Sequence, residues 1–207
     1  YGGDAHATTE CGLNHFSLGA FYTKWAQDWR DVQGGESAWG TGGDKAATKD
    51  TVESGNLPYT APTYWGGGGP GWSGYCVTLP WEIYERYGDT RICQVNFPTI
   101  QRWLAFLETK AKDDMLVRWG GEWDFLGDWL WPGAEGVNGD TIETLFFNNC
   151  YWIFNLQTAA KIADVIGEKD AGAKYRAAHL VGPRAVLREV LQARTEQLRQ
   201  RLPGLSG

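Results

Sequence analysis

Apolar residues recur at helical spacing near the start of the chain, where Phe16, Ala20, Trp25 and Trp29 fall close to one face. This pattern predicts a helix over residues 14–32. The glycine pair that follows is expected to end it, because glycine weakens a helix interior and favours the backbone conformation found at helix ends.

Further helices are predicted from the same periodicity over residues 77–87, 97–112 and 141–166 and from about residue 171 onward. Two long segments between the predicted helices, residues 34–73 and 118–139, are rich in glycine and tryptophan. Compact domains rarely keep loops of this length without a function, so both loops are candidates for a binding site.

The sequence shows no convincing series of strands, and the fold class is therefore predicted to be all-α. Short and long connections alternate between the predicted helices. This alternation favours an α-toroid, in which inner and outer helices ring a central cleft and the long loops gather at one mouth. Sequence spacing alone leaves an irregular helical bundle as an alternative.

Aromatic residues are abundant, at 14% of the chain with 12 tryptophans, within a sequence that is 43% hydrophobic. Such side chains either fill a large core or stack on the apolar C–H faces of sugars. The net charge of −6 argues against nucleic acid as a partner, because phosphate binding requires clustered lysine and arginine. No apolar run reaches the length of a membrane span, so no membrane partner is expected.

The four cysteines are far apart and form no Cys-x-x-Cys pair, which favours small buried hydrophobic side chains and leaves a disulfide open. They are Cys11, Cys76, Cys93 and Cys150. His6 and His15 fit no metal motif, and a structural role is predicted for both. No cofactor or metal is expected. The compartment stays undetermined, with the periplasm or the extracellular space as alternatives for a longer parent chain.

Three groups of short motifs follow one another along residues 1–176. The first is Tyr-Gly-Gly-Asp-Ala-His at 1–6, then Phe-Tyr-Thr-Lys-Trp at 21–25 and Asp-Trp at 28–29. The second is Leu-Pro-Tyr-Thr-Ala-Pro at 57–62, a glycine run at 66–69, Trp-Ser-Gly at 72–74, Leu-Pro-Trp at 79–81 and Tyr-Gly-Asp at 87–89. The third is Trp-Asp-Phe-Leu-Gly-Asp-Trp-Leu at 123–130, ending in Pro-Gly at 132–133. In this order they resemble the catalytic domain of α-L-rhamnosidases of glycoside hydrolase family 78.

The resemblance implies an incomplete (α/α)6 toroid of the six-hairpin glycosidase type. It covers residues 1–176 as a partial catalytic domain, and residues 177–207, which lack aromatic side chains, are predicted to be a divergent Arg/Leu-rich helical tail. A longer parent is expected to release terminal α-L-rhamnose with inversion, which requires one carboxylic acid and one carboxylate. The family carries the acid just before the Gly-Gly-Asp motif and the base far downstream. Both are expected to be missing here, so this chain alone is expected to be inactive.

The resemblance assigns a substrate-binding floor to this chain. Asp4 matches a family acid that holds sugar hydroxyls and supports the catalytic acid, with a helix-capping aspartate as the alternative. Trp72 is predicted to form a wall of the sugar site, and the alternative is an aromatic side chain that fills the core. Asp128 and Trp129 are predicted to bind a hydroxyl and an apolar sugar face, and Glu122 is a weaker candidate. A loop-end or helix-capping acid is the alternative for Asp128.

Residue type alone would also suit Glu122, Asp124 and Asp128 as a catalytic carboxylate pair, but the resemblance places catalysis elsewhere. The first function considered is an enzyme fragment whose partner is a rhamnose-containing oligosaccharide, glycoside or polysaccharide. The second is a non-catalytic carbohydrate-binding remnant of that domain. The third is another (α/α)6 glycosidase, of glucoamylase-like or trehalase-like type. The order of the motifs disfavours the third.

Overall fold

The computed structural model describes residues 1–34, 54–63, 69–119, 125–128, 141–178 and 192. Its bounded helices are α1 (Gly2–His15), α2 (Gly19–Val32), α3 (Pro70–Ser73), α4 (Tyr75–Tyr87), α5 (Thr90–Thr109) and α6 (Ile142–Ile166). Residues 169–178 are also helical. The short strands β1 (Ala111–Lys112) and β2 (Met115–Leu116) pair antiparallel after α5. The described part of the chain is therefore mostly helical, as predicted.

The predicted helix over residues 14–32 is wrong at its start. Two helices, α1 and α2, occupy this part of the chain, and they separate where Phe16 adopts an extended conformation with φ −135° and ψ 154°. Trp29 is buried in α2 as expected, whereas Phe16 and Ala20 are exposed. The buried residues of α1 are Gly2, Ala5, Thr9 and Leu13. Because most of them are small or polar, α1 carries almost no apolar periodicity that a sequence could reveal.

Capping residues set the ends of the later helices. Helix α5 begins well before the predicted start at residue 97, because the Asp89 carboxylate accepts a 3.0 Å hydrogen bond from the backbone N–H of Arg91. The prediction for residues 141–166 is confirmed in α6. The Thr141 side chain caps its first turn, and Gly167 ends it in the left-handed conformation at φ 85°.

The helices pack in two rows. Helices α1, α4 and α6 contact one another in that order, while α2 and α5 contact each other and pack against α4. The main core lies between the rows, and its largest fully buried side chains include Trp29, Tyr75, Leu79, Ile100, Trp103 and Ile162. This arrangement leaves one face of the first row, formed by α1, α4 and α6, turned away from the second row.

A second, smaller cluster lies apart from the main core and joins the two loop regions. We call it the loop cluster, and it consists of Tyr59, Trp72 and Leu126 with the partly buried Phe147 packed against them. Tyr59 and Trp72 come from the first predicted loop, Leu126 from the second and Phe147 from α6. The two Gly/Trp-rich segments therefore meet in the described part of the structure.

The cysteines follow the prediction only in part. Cys76 and Cys93 are buried, as expected for small hydrophobic side chains, and burial raises the pKa of both thiols. Cys11 and Cys150 are exposed, so for these two the prediction is wrong. All four are free thiols.

Candidate functional site

Trp72 lies in the short helix α3 and is only 4% exposed. Its ring meets Tyr59 nearly edge-on, with centroids 6.4 Å apart, and Phe147 at 5.5 Å and 53°. This packing is what the alternative of a core-filling aromatic requires. The predicted role of Trp72 as a wall against a sugar stays a prediction.

The first turn of α1 rests directly on Trp72. The backbone N–H of Gly2 donates a 2.9 Å hydrogen bond to the carbonyl oxygen of Tyr59. A methyl group on Gly2 would lie 2.0 Å from the carbonyl oxygen of Trp72, and one on Gly3 would lie 2.6 Å from Cε2 of its ring. Only glycine allows this approach. The Gly-Gly-Asp motif therefore places the next residue, Asp4, beside the loop cluster.

Asp4 is exposed in the first turn of α1, where a negative charge is favourable because the helix dipole is positive at this end. Its side chain caps nothing that fixes the helix start, since the N-cap residue is Tyr1 and has no side-chain cap bond. Asp4 therefore does not cap α1, which was the alternative role predicted for it.

Asn148 of α6 joins the two loop regions to one another. Its side-chain oxygen accepts a 3.3 Å hydrogen bond from the backbone N–H of Gly71. Its side-chain nitrogen donates to the carbonyl oxygens of Leu126, at 2.8 Å, and Thr144, at 3.0 Å. The side chain is fully buried. Sequence reasoning missed Asn148, and the only available signal was an amide amid the aromatic residues of α6.

Asp128 is exposed and lies at the edge of a depression of about 340 Å³. The other lining residues are Glu143, Phe146, Phe147, Cys150 and Tyr151. Burial raises the pKa of the Tyr151 hydroxyl, and the negative charge of Asp128 raises it further. Asp128 and Tyr151 thus line the same depression.

A series of contacts links the three candidate residues that the structure describes, Asp4, Trp72 and Asp128. Gly3, next to Asp4, contacts Trp72; Trp72 packs against Phe147; and Phe147 lines the depression that contains Asp128. Trp72 is buried, whereas the carboxylates of Asp4 and Asp128 are exposed. Glu122, Asp124 and Trp129 lie outside the described residues.

Another cavity, of about 520 Å³, lies further along the same three helices, and we call it the charged cavity. It is lined by His6, Glu10, Leu13, Asn14, Thr78, Trp81, Glu82, Glu85, Arg86, Tyr151, Phe154, Thr158 and Lys161. Burial raises the pKa of Glu82 to about 7, and repulsion from Glu10 and Glu85 adds to the shift. The ammonium group of Lys161 lies 5.4 Å from the ring centroid of Trp81. Sequence reasoning missed this cavity.

Within the described ranges, no group of three or more His, Cys, Asp or Glu side chains is arranged to hold a metal ion. In the same part of the chain, no helix combines the length and apolarity needed to cross a membrane.

The family described as the bacterial alpha-L-rhamnosidase 6 hairpin glycosidase domain matches residues 1–193. The chain belongs to this family. The predicted resemblance to α-L-rhamnosidases is thereby confirmed, and so is the prediction of a mostly helical, partial six-hairpin glycosidase domain.

Two α-L-rhamnosidases are similar in sequence to this six-hairpin glycosidase chain. That of Formosa agariphila is 27% identical over 177 residues, which cover 84% of this chain and 17% of the relative. That of Streptomyces avermitilis is 33% identical over 151 residues, which cover 73% of this chain and 12% of the relative. The chain thus spans less than a fifth of the length of these relatives.

Solved structures resemble the fold of this six-hairpin glycosidase chain. The α-L-rhamnosidase of Dictyoglumus thermophilum superposes with a TM-score of 0.72 at 24% identity, covering 90% of this chain and 18% of the other. The Streptomyces avermitilis α-L-rhamnosidase, solved in complex with L-rhamnose, gives a TM-score of 0.66 at 25% identity and covers 90% of this chain and 15% of the other. The family match ends at residue 193, beyond the predicted domain boundary at 176/177, which stays a prediction.

Proposed function

We propose that this chain forms the substrate-binding floor of an α-L-rhamnosidase and that Asp4 of α1, Trp72 of α3 and Asp128 of the second loop region hold a terminal α-L-rhamnosyl group. The observation that supports the proposal is a series of contacts in a chain of the rhamnosidase family. Gly3, next to Asp4, contacts Trp72, Trp72 packs against Phe147, and Phe147 and Asp128 line one depression. A relative of this chain has been solved with L-rhamnose bound, which supports the choice of sugar.

The chemistry of the exposed groups fits a sugar ligand. A carboxylate accepts hydrogen bonds from two neighbouring hydroxyl groups, and the carboxylates of Asp4 and Asp128 are both exposed. The aromatic side chains Phe146, Phe147 and Tyr151 line the depression next to Asp128 and offer apolar faces. Trp129 and Glu122 belong to the same proposed site by sequence.

The parent protein is proposed to hydrolyse rhamnosides with inversion of the anomeric carbon. Inversion needs a protonated carboxyl group at the leaving oxygen and a carboxylate that activates water on the opposite face. The family resemblance assigns neither role to a residue of these 207, and it gives Asp4 the part of a supporting acid. We therefore expect the chain by itself to bind the sugar without cleaving rhamnosides.

Isothermal titration calorimetry with L-rhamnose tests the binding proposal. We expect a dissociation constant on the order of millimolar for the unaltered chain. The variants Asp4→Asn and Asp128→Asn should each weaken binding by about fivefold or more, because a hydrogen bond to a charged acceptor is lost. Asp113→Asn, in the turn between β1 and β2, is the matched control and should bind like the unaltered chain. Absence of binding heat at high sugar concentration would remove the proposal.

An assay with an aryl α-L-rhamnoside tests whether the catalytic groups lie outside these 207 residues. The parent protein should release L-rhamnose, and proton NMR of the first-formed anomer should show inversion. The 207-residue chain should release none. Turnover by this chain that survives Glu122→Gln and Asp128→Asn would show that the catalytic groups lie elsewhere among its own residues. Preference for another sugar over L-rhamnose would favour a different (α/α)6 glycosidase.

A further inference from the structure

His6 of α1 occupies a defined place between two aromatic rings. Its imidazole meets the ring of Tyr75 edge-on, with centroids 5.3 Å apart, and lies 4.9 Å from the ring of Tyr151. Its Nδ1 atom lies 3.0 Å from the carbonyl oxygen of Gly71, 65 residues further along the chain. Because a carbonyl oxygen only accepts hydrogen bonds, Nδ1 must carry the proton.

The surroundings of the other ring nitrogen, Nε2, also favour a neutral histidine with its proton on Nδ1. Nε2 is buried and has no hydrogen-bond partner among the described residues. Burial of an unprotonated ring nitrogen without a partner costs less free energy than burial of a charged imidazolium ring would. Burial lowers the pKa of His6 to about 4, so the ring is uncharged near neutral pH.

Gly71 is held from both sides of its peptide backbone. Its carbonyl oxygen accepts from His6 of α1, and its backbone N–H donates to Asn148 of α6. Trp72 is the next residue, and its ring lies against Gly3, next to Asp4. The bond from His6 therefore connects the helix that carries Asp4 to the backbone that carries Trp72.

We propose that His6 is a positioning residue which, through its Nδ1–H bond to the carbonyl oxygen of Gly71, fixes Trp72 relative to Asp4. This proposal goes beyond the sugar-binding role and rests on it only for the effect on rhamnose affinity. His6 acts through the backbone of Gly71 and is not assigned a contact with the sugar.

The tautomer of His6 is the first test and needs no sugar. In the ¹⁵N-labelled chain at pH 7, long-range proton–nitrogen spectra should show His6 with a protonated Nδ1 and an unprotonated Nε2. The chain has only three histidines, and His6→Asn assigns the signals by their loss. A His6 signal with the proton on Nε2 would overturn the proposal.

Three variants then separate positioning from general packing. His6→Asn keeps a side-chain N–H near the place of Nδ1 and should keep L-rhamnose affinity within about twofold. His6→Leu removes the donor and should weaken affinity by about tenfold. Tyr75→Phe loses the hydrogen bond between Tyr75 and Thr9 but keeps the bond from His6, so it should lower the melting temperature and leave affinity unchanged. Affinities that follow the melting temperatures across the three variants would instead indicate packing alone.

A ¹⁹F signal from Trp72 keeps the inference testable if the unaltered chain fails to bind L-rhamnose. In the chain labelled with 5-fluorotryptophan, Trp72→Phe assigns the Trp72 resonance. His6→Leu should shift this resonance, and His6→Asn should leave it near its original position. An unshifted Trp72 resonance in His6→Leu overturns the inference, whereas a shift without any rhamnose binding upholds the link from His6 to Trp72 and removes only the proposed function.

Discussion

The loop cluster and the charged cavity both adjoin α1 and α6, yet the polar groups in the two regions differ in their hydrogen bonding. Around the loop cluster, neutral amide and hydroxyl groups bind backbone atoms. Asn148 links Gly71 to Leu126, and Ser73 donates to the carbonyl oxygens of the Leu57–Pro58 segment. In the charged cavity, one carboxyl oxygen of Glu82 is buried without a hydrogen-bond partner among the described residues.

This difference separates polar side chains that pair with the backbone from a buried carboxyl oxygen that has no partner among the described residues. The side chains of Asn148 and Ser73 pair with backbone atoms, as buried polar groups in protein interiors usually do. The charged cavity brings like charges together and leaves Phe154 45% exposed beside them. Substitutions of residues that contact the loop cluster should therefore destabilise the fold, whereas removing a carboxylate charge from the charged cavity should stabilise it.

Gly2→Ala should give the largest effect in the loop cluster. The added methyl group would lie 2.0 Å from the carbonyl oxygen of Trp72, and a backbone atom cannot move aside as a side chain can. We expect a loss of about 3 kcal/mol in the free energy of unfolding, measured by urea denaturation.

The matched control for this substitution is Gly12→Ala in the same helix. Its methyl group would lie 2.9 Å from the Tyr22 hydroxyl, the end of a side chain that can shift. The gain in helix propensity, about 1 kcal/mol, should offset most of the cost. Equal urea midpoints for the Gly2 and Gly12 variants would show that α1 does not rest on the Trp72 backbone as described.

Asn148→Ala should give the next largest effect. It removes the acceptor for Gly71 and the donor for Leu126 and Thr144, which leaves buried backbone groups unpaired. The expected loss is about 2 kcal/mol of unfolding free energy. The same variant should also weaken L-rhamnose binding, because it releases the backbone that precedes Trp72.

Asn149→Ala provides the comparison for this second effect. The neighbouring Asn149 binds both the backbone N–H and the carbonyl oxygen of Leu116, at 2.9 and 3.0 Å, and so fixes β2 rather than the loop cluster. Its loss should lower stability by a similar amount and leave rhamnose affinity unchanged. If calorimetry shows the same loss of affinity in both variants, the effect of Asn148 is general destabilisation.

The sequence predicts α6 and the apolar stripe of α5 well because both are long and strongly patterned. Ile100, Trp103, Leu104 and Leu107 are all buried, as their spacing indicates. It does not predict α1, whose buried positions are small or polar and whose stability comes from its contacts with α3 and α4.

The candidate site shows the same limit. The residues Asp4, Trp72 and Asp128 could be named from their motifs, and their role in one sugar site stays a prediction. The roles of Asn148 and Glu82 could not. A buried asparagine in α6 and a glutamate in α4 both have the spacing of ordinary helical positions, and only the tertiary packing shows what they face.

Glu82→Gln should give the smallest effect, with the opposite sign. The carboxyl group titrates near 4.5 in the unfolded chain, whereas burial and the charges of Glu10 and Glu85 raise its pKa to about 7 in the folded chain. Between these values the folded state binds more protons than the unfolded state, so stability falls as the pH rises. Below pH 4.5 the full contribution of the protonated group is present, and above pH 7 it is lost.

Glutamine imitates the protonated acid at every pH, so the variant should match the unaltered chain near pH 4.5 and exceed it at pH 8. Because Glu82 is partly solvent-exposed and its charge is screened, the expected gain at pH 8 is only about 1 kcal/mol. Glu85→Gln, at an exposed position, acts only by relieving repulsion and should give less than half of that gain. Urea unfolding at both pH values measures the difference. If Glu82→Gln has the same effect on the free energy of unfolding at pH 4.5 and at pH 8, water solvates this carboxyl group well and its burial does not disfavour the charge. The contrast between the charged cavity and the loop cluster would then fail.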